Sequence, residues 1–286
     1  MTACDNSMAT QAEKGRLFRE LHERKKAFII PNPWDVGTAR LLTHLGFEAL
    51  ATTSMGHAFS QGISDGDLGR EKTLAYASSI ASATQLPVSA DLENGFGDSP
   101  DVVAETIRLA ANAGVVGGSI EDATGRAEDP IYDPNFAVER VKAAVSAARA
   151  LPFTFTLTAR AENFLHDRPD LGDTIKRLQA FEKAGADVLY APGLTTKDEI
   201  VAVVNSVHRP VNVLMGLKGP SLSLAELSAV GVKRVSVGST LARTALGAFL
   251  RAACEMRDHG TFTFTAQAVN SNEITSIFAE FQAPTK

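Results

Sequence analysis

Pairs of carboxylates end two separate apolar stretches of the chain, Asp91 with Glu93 and Glu121 with Asp122. Alternate side chains of a β-strand point to the same face, so Asp91 and Glu93 are predicted to converge on one point. Like charges held together stay ionised only where a cation or strong hydrogen-bond donors compensate them. Oxygen ligands without Cys or His suit magnesium, with manganese possible, rather than zinc. The alternative is that these acids are separate, solvated groups at strand ends.

The chain around these acids alternates short apolar strands with amphipathic helices. Eight strands, each followed by a helix, predict an α/β fold of the (β/α)8 TIM-barrel type with an N-terminal helix and extra C-terminal helices. One domain is expected over residues 1–286, with an N-terminal tail and helix in 1–25 and the C-terminal helices in 239–286. A doubly wound open sheet is the alternative. It would need a glycine-rich phosphate loop after the first strand, where Asn32-Pro-Trp-Asp35 stands instead.

Functional groups of such barrels lie at the C-terminal ends of the strands. Polar residues stand at several of these ends, namely Thr53, Asp91 with Glu93, Glu121 with Asp122, Arg160 and Tyr190. We therefore predict that they surround one mouth of the barrel.

We make separate predictions for the segments that lie outside the strand–helix alternation. Residues 54–62 are predicted to form a small-residue loop before Asp65, and residues 123–133 lack periodicity, which is typical of a mobile active-site loop. The helix over 11–25 suits a lid or an interface, and residues 262–281 suit one further helix.

Composition excludes several classes of function. The net charge is −5 and no Lys/Arg run is present, so a nucleic-acid partner is not expected. No apolar run is long enough to span a bilayer, which argues against a membrane protein. Cys4 and Cys254 are the two cysteines of the 286 residues, so a disulfide framework is not expected and a cytoplasmic location is predicted.

Five motifs, in their order and spacing, resemble those of the isocitrate lyase and phosphoenolpyruvate mutase superfamily. They are Pro31-Asn-Pro-Trp-Asp35, Thr53-Ser-Met-Gly56, Asp91-Leu-Glu-Asn-Gly-Phe-Gly97, Ser119-Ile-Glu-Asp122 and Ala159-Arg160. The resemblance implies a magnesium ion bound directly by Asp91, with Glu93, Glu121 and Asp65 in an outer shell reached largely through water.

The resemblance also implies a small carboxylic-acid substrate, a 2-oxo acid or a close relative. Its carboxylate would be bound by Thr53, Ser54 and Met55, chiefly through backbone N–H groups. Arg160 would face the developing enolate or the second acidic group of the substrate. The predicted substrate-binding set is Thr53, Ser54, Met55, Asp91, Arg160 and Tyr190, and the predicted catalytic set is Arg160, Glu121, Glu128 and Tyr132.

The loop after the fourth strand departs from the superfamily pattern. Lyases that cleave isocitrate or methylisocitrate resemble one another in a Lys-Lys-Cys-Gly-His type loop there, and phosphonopyruvate enzymes carry a Lys directly after the Glu-Asp pair. Here the run is Ala123-Thr-Gly-Arg-Ala-Glu-Asp-Pro-Ile-Tyr132, with neither residue. Thr124, Glu128 and Tyr132 are its candidate proton carriers.

These observations favour a magnesium-dependent lyase or decarboxylase that cleaves a C–C bond in a small 2-oxo or 2-hydroxy di- or tricarboxylic acid through an enolate. One alternative is a phosphoenolpyruvate mutase or phosphonopyruvate hydrolase, which acts on a C–P bond. Another is a barrel that binds a 2-oxo acid without turning it over. A Schiff base on Lys218 is a minor further alternative.

The C-terminal helices exceed what one barrel needs. In proteins that this chain resembles, a C-terminal helix crosses to a neighbouring subunit. We therefore expect a homodimer or homotetramer formed by exchange of the C-terminal helix.

Overall fold

A sheet of eight parallel strands forms the centre of the computed structural model, which describes residues 9–216 and 221–282. The strands are β1 Phe28–Ile30, β2 Leu50–Ala51, β3 Val88–Asp91, β4 Gly117–Glu121, β5 Thr156–Arg160, β6 Val188–Tyr190, β7 Val211–Leu214 and β8 Arg234–Ser236. Their spatial order is β1-β8-β7-β6-β5-β4-β3-β2. Between the two end strands, the Ala51 amide donates to the Pro31 carbonyl at 3.1 Å. The sheet is thus a nearly closed barrel, which confirms the (β/α)8 prediction over the open sheet.

Helices connect the strands and surround the barrel. They are α1 Gln11–Glu23, α2 Val36–His44, α3 Ser54–Ser60, α4 Gly69–Ala83, α5 Pro100–Asn112, α6 Pro134–Arg149, α7 Leu171–Ala184, α8 Lys197–Ser206, α9 Leu224–Ala229, α10 Thr240–His259 and α11 Ser271–Ala279. Several of these helices begin with an N-cap residue, whose side chain accepts a hydrogen bond from a backbone amide of the first turn. Asp35 accepts from the Thr38 amide at 2.7 Å, and Ser99 accepts from the Val102 amide at 3.3 Å.

Helix α1 closes the N-terminal end of the barrel. Phe18 is fully buried and lies edge-on to Phe28 at the start of β1, with ring centroids 6.5 Å apart. A Cβ on Gly117, the first residue of β4, would lie 2.8 Å from the Phe18 ring, so only glycine fits there. Burying a phenylalanine contributes roughly 2–3 kcal/mol. Helix α1 is therefore a floor beneath the barrel, and its prediction as a lid is wrong.

Two further predictions need correction. Residues 54–60 form helix α3 rather than a loop, because Thr53 caps it by accepting from the Gly56 amide at 3.2 Å. The segment 262–281 is divided into a 3-10 turn over Thr263–Gln267 and helix α11. Asn270 begins α11 by accepting from the Asn272 amide at 2.8 Å.

The C-terminal helices differ in how they pack. Helix α11 lies against α2, where His44 Nδ1 is 2.9 Å from Glu280 Oε2. On α10, by contrast, Ala242 is the only buried residue. Exchange between subunits remains a prediction. Within 9–216 and 221–282, no helix is both long and apolar enough to cross a membrane.

Candidate active site

Arg160 joins the ends of three neighbouring strands. Its Nη1 lies 3.0 Å from Asp91 Oδ1 at the end of β3 and 3.1 Å from Glu121 Oε2 at the end of β4. Burial raises the pKa of Glu121 well above its usual value, even though Arg160 opposes that rise. Burial also disfavours the charge of Arg160, but Glu162, Glu121 and Asp91 raise its pKa above the usual value overall. The predicted meeting of these strand-end residues is confirmed as geometry.

Glu162 also binds Arg160, and the sequence reasoning missed it. Arg160 Nε donates to Glu162 Oε1 at 2.8 Å, and the Glu162 side chain is 3% exposed. Asp122 fixes the backbone of Glu162 by accepting a hydrogen bond from the Glu162 amide at 2.8 Å. Asp122 also accepts from Arg177 Nη1 at 3.1 Å. Burial raises the pKa of Asp122 to about 6. A signal existed, because Glu162 follows Arg160 by two residues, as Glu93 follows Asp91.

Asp91 is held by the loop that follows β2. Ser54 donates to Asp91 Oδ2 from its hydroxyl at 3.1 Å and from its amide at 3.4 Å. On the neighbouring strand, the Ser119 hydroxyl reaches Asp91 Oδ1 at 3.5 Å. The Asp91 amide itself donates to Thr52 Oγ1 at 2.8 Å. The start of α3 and the acid of β3 are thus one connected unit.

Glu93 does not share a strand face with Asp91, which corrects the strand-period prediction. Strand β3 ends at Asp91, and Glu93 has a φ of 49°, in the left-handed region. It nevertheless faces the same cavity as Glu121 and Asp65. Its Oε1 atom is buried and has no hydrogen-bond partner. Burial, Asp91 and Asp65 raise the pKa of Glu93 to about 7. Burial raises the pKa of Asp65 as well.

These acids line two neighbouring cavities at the barrel mouth, which share wall residues. The outer cavity has a volume of about 970 Å³, and its wall includes Asp65, Glu93, Glu121, Arg160 and Glu162. The inner cavity has about 230 Å³, and its wall includes Thr53, Ser54, Met55, Asp91, Arg160 and Tyr190. Arg160 borders both. Every predicted metal ligand and substrate-binding residue therefore contacts at least one of the two cavities.

The acid set fits a hard divalent cation bound mostly through water. Over the described residues, no three Asp, Glu, His or Cys side chains lie close enough to ligate one ion together. A single direct ligand with outer-shell carboxylates is consistent with that spacing. The buried Oε1 of Glu93 has no hydrogen-bond partner, and burial with Asp91 and Asp65 raises the pKa of this carboxyl more than Arg160 lowers it. A cation beside Asp91 would supply a compensating charge.

The predicted proton carriers of the loop 123–133 lie apart from this set. Tyr132 donates its hydroxyl to Asp98 Oδ1 at 2.5 Å, and Thr124 donates to the Asp129 carbonyl. Glu128 is exposed and borders neither cavity. Lys218, the candidate for a Schiff base, lies outside the described residues.

The family described as phosphoenolpyruvate phosphomutase matches residues 18–257. The chain belongs to this family. A crystal structure from Burkholderia cenocepacia J2315, provisionally described as a lyase/mutase, is 65% identical with a TM-score of 0.93, covering 96% of this chain and 97% of that chain. The family resemblance found in the motifs is thus confirmed.

The curated relatives of this chain include a lyase. The 2,3-dimethylmalate lyase of Eubacterium barkeri is 30% identical over 227 residues, which cover 74% of this chain and 75% of the relative. An uncharacterised protein of Mycobacterium tuberculosis is 33% identical over 243 residues, covering 84% and 89%. The chain therefore belongs among enzymes of the isocitrate lyase and phosphoenolpyruvate mutase superfamily.

Proposed function

We propose that this chain is a magnesium-dependent lyase or decarboxylase that cleaves a C–C bond in a small 2-oxo or 2-hydroxy di- or tricarboxylic acid through an enolate. The observation that carries the proposal is the position of Arg160. This guanidinium borders both cavities and is fixed by Asp91, Glu121 and Glu162. A guanidinium fixed at this point would donate hydrogen bonds to an anionic substrate and stabilise negative charge that develops on it.

Magnesium would be held by Asp91, with Glu93, Glu121 and Asp65 acting through water. When bound, the ion would polarise the substrate carbonyl and offset the negative charge of the site. Manganese could replace it, because both ions prefer oxygen ligands. The orphaned Oε1 of Glu93 supports this assignment.

The residues of the chain itself would orient and stabilise the reacting acid. Thr53, Ser54 and Met55 border the inner cavity next to Asp91, where they would hold the substrate carboxylate. Arg160 would face the enolate oxygen, and preorganised donors of this kind typically contribute about 3 kcal/mol to transition-state stabilisation. Glu162 and Glu121 would keep the guanidinium from turning away.

The chemistry of the loop favours C–C over C–P cleavage. Residues 123–133 contain neither the Cys of the isocitrate-type lyases nor the Lys of the phosphonopyruvate enzymes. A decarboxylation needs no proton donor when the bond breaks, because the electron pair moves into the enolate. A 2-oxo diacid is therefore the favoured substrate class.

The direct test is a substrate panel with and without magnesium: oxaloacetate, isocitrate, methylisocitrate, 2,3-dimethylmalate and phosphonopyruvate. Release of pyruvate or glyoxylate from one of the carboxylic acids, dependent on magnesium, is the expected result. Release of phosphate from phosphonopyruvate alone would favour the C–P enzymes. Stabilisation by oxalate and magnesium without turnover of any acid would favour a binding protein.

Asp91→Asn should lower turnover by at least 100-fold and abolish magnesium-dependent oxalate binding, measured by calorimetry. Asp198→Asn is a matched control, because this exposed acid of α8 borders neither cavity. Turnover that survives in Asp91→Asn would contradict the metal assignment.

A further inference from the structure

Cleavage to an enolate leaves a carbon that must be protonated before a ketone product can leave. Two of the three loop residues that could supply this proton are used elsewhere, and the third, Glu128, is exposed and borders neither cavity. Tyr132 and Thr124 donate their hydroxyl hydrogens to Asp98 and to the Asp129 carbonyl. The donor must therefore be sought on the barrel strands.

Tyr190 is the last residue of β6 and borders the inner cavity together with Asp91 and Ser54. Its side chain is buried, and the guanidinium carbon of Arg160 lies 5.2 Å from the centroid of its ring. The phenol is thus next to the charge that would face the enolate.

A chain of hydrogen bonds leads from Arg234 to Ser236, which borders the inner cavity together with Tyr190. Arginine has only donors, so Arg234 Nε, 2.9 Å from Asn212 Oδ1, identifies that atom as the acceptor. Asn212 Nδ2 must then donate to Ser236 Oγ, at 2.9 Å. Ser236 has thus accepted one hydrogen, and it borders the inner cavity together with Tyr190. The interaction with Ser236 lowers the pKa of Tyr190, as expected of a hydroxyl that donates to the phenol oxygen. A Ser236 hydroxyl that donates in this direction would leave the hydrogen of Tyr190 for the cavity.

We propose that Tyr190 is the catalytic residue that protonates the enolate carbon, and that Ser236, Asn212 and Arg234 are positioning residues that aim its hydrogen into the inner cavity. This inference rests on the proposed enolate chemistry. In the step, the O–H bond of Tyr190 breaks and its electron pair stays on the phenolate oxygen. The π pair of the enolate forms the new C–H bond, and the carbonyl is restored. Water then returns a proton to the phenolate.

The electrostatics of Tyr190 suit this role. Burial raises the pKa of Tyr190 to about 12, while Arg160 and the Ser236 hydrogen bond oppose the rise. The phenol therefore carries its proton at neutral pH, and both opposing groups stabilise the phenolate that the transfer leaves. A phenol is also a stronger acid than the C–H bond that it forms, so the transfer to carbon is downhill.

The first experiment follows the reverse proton transfer, the exchange of pyruvate methyl hydrogens with D₂O in the presence of magnesium, by NMR. Tyr190→Phe should lose at least 100-fold in exchange rate while oxalate affinity stays within threefold of wild type. Tyr132→Phe, the competing loop candidate, should retain exchange. Exchange by Tyr190→Phe within threefold of wild type would overturn the assignment.

Failure of the proposed function gives a different result. Wild-type protein that neither exchanges pyruvate hydrogens nor cleaves any acid of the panel would remove the enolate, and the Tyr190 proposal with it. Wild-type exchange that persists in Tyr190→Phe removes the proton donor alone.

The second experiment tests the positioning chain in the metal-free protein. With 3-fluorotyrosine in place of the three tyrosines, ¹⁹F NMR follows each phenol, and Tyr190→Phe assigns the signal. Ser236→Ala should raise the pKa of the Tyr190 signal and slow pyruvate exchange roughly tenfold, because a donor to the oxygen is lost. Ser236→Thr keeps the hydroxyl and should restore both. An unchanged pKa in Ser236→Ala would show that the chain does not act on Tyr190.

Discussion

Glu162, whose side chain is 3% exposed, accepts from Nε of Arg160 at 2.8 Å. Glu162→Gln keeps the shape of this acid but removes its charge, so Arg160 should be held less firmly. Hydrogen bonds to charged groups contribute about 1.5–3 kcal/mol. We expect kcat/KM to fall roughly 10–100-fold in steady-state assays on the acid identified by the panel.

The control for this variant is Glu20→Gln on α1. Glu20 forms an exposed pair with Arg16 on the floor of the barrel, away from both cavities. Its kcat/KM should match wild type. Equal losses in the two variants would mean that Glu162 has no special part in holding Arg160.

Glu93 should make the metal-free protein less stable at high pH. Its pKa is about 7 when folded against 4.5 for a free side chain, so the folded state binds this proton more tightly. Stability from Glu93 is therefore present below pH 4.5 and is lost as the pH rises through 7. In chelator at pH 8, Glu93→Gln should raise Tm by roughly 2–4 °C. In a chain of this size, that shift corresponds to a gain of about 1 kcal/mol in the free energy of unfolding.

Magnesium should reduce or reverse the Tm advantage of Glu93→Gln over wild type at pH 8. The ion compensates the Glu93 carboxylate, so wild type should gain more in Tm from magnesium at pH 8 than Glu93→Gln does. Differential scanning fluorimetry at pH 5 and pH 8, with chelator or magnesium, measures all four conditions. A lower Tm for Glu93→Gln at pH 8 in chelator would show that its carboxylate is compensated by the protein alone.

The barrel was predictable because its signals are local. Asp35 and Ser99 cap helices where the sequence places them, and a strand or helix period needs only a few consecutive residues. The same reasoning failed at Glu93 because the period was continued past the end of β3. Glu93 has a φ of 49° and Gly95 a φ of 82°, so a turn, not the strand, directs the side chain.

Contacts between distant segments could not be predicted in this way. Tyr132 donates to Asp98, 34 residues earlier in the chain, and that hydrogen bond occupies its hydroxyl hydrogen. The chain from Arg234 to Tyr190 requires that β6, β7 and β8 be adjacent in a known register. The register of these strands cannot be derived from composition or from the spacing of residues along the chain.

His22 should make the protein sensitive to acid. It is buried on the floor of the barrel, where Nδ1 donates to the Phe18 carbonyl at 2.7 Å, and burial together with Arg234 lowers its pKa from 6.5 to about 3. The unfolded chain therefore binds a proton below pH 6.5 that the folded state rejects. Stability is present above pH 6.5 and is lost as the pH falls toward 3. Between pH 7 and pH 5 the loss is about 2 kcal/mol.

Urea denaturation at pH 7 and pH 5 measures this effect. In His22→Gln the difference between the two pH values should shrink by about 2 kcal/mol relative to wild type. His208→Gln, which changes a side chain that is 95% exposed, is the control and should keep the wild-type difference. An undiminished difference in His22→Gln would mean that His22 is protonated in the folded state.

Arg140 should stabilise the turn that carries Glu93. It is fully buried, donates to the carbonyls of Asn94, Gly97 and Asp98, and lies over the Tyr132 ring at 4.2 Å. Arg140→Met would leave these carbonyls without donors, which costs about 1–3 kcal/mol for each buried group. We expect a loss of roughly 3 kcal/mol in urea denaturation, with a weaker magnesium response.

Arg126→Met is the matched control for Arg140→Met. Arg126 pairs with Asp98 in the same loop region, but both side chains are largely exposed. Its denaturation midpoint should stay close to that of wild type. If the two variants unfold alike, the buried carbonyl contacts of Arg140 do not account for the stability of this turn.

The apolar face of α10 should bind another subunit. Ala242, Leu246, Phe249, Ala253 and Met256 recur at intervals of four and three residues, which places them on one side of the helix. Phe249 is 68% exposed, and only Ala242 is buried. A stripe of this kind on a helix that packs weakly on its own barrel is typical of an interface between chains. The expected species is a homodimer or homotetramer.

Size-exclusion chromatography with light scattering tests this expectation. The mass of wild type measured by light scattering should exceed the 30.3 kDa of one chain. Phe249→Glu should lower the measured mass toward 30.3 kDa, because it places a charge in the apolar contact. Arg251→Glu lies on the opposite side of α10 and should leave the assembly intact. A single 30.3 kDa species for the wild type would exclude helix exchange, and equal dissociation by both variants would place the contact elsewhere on α10.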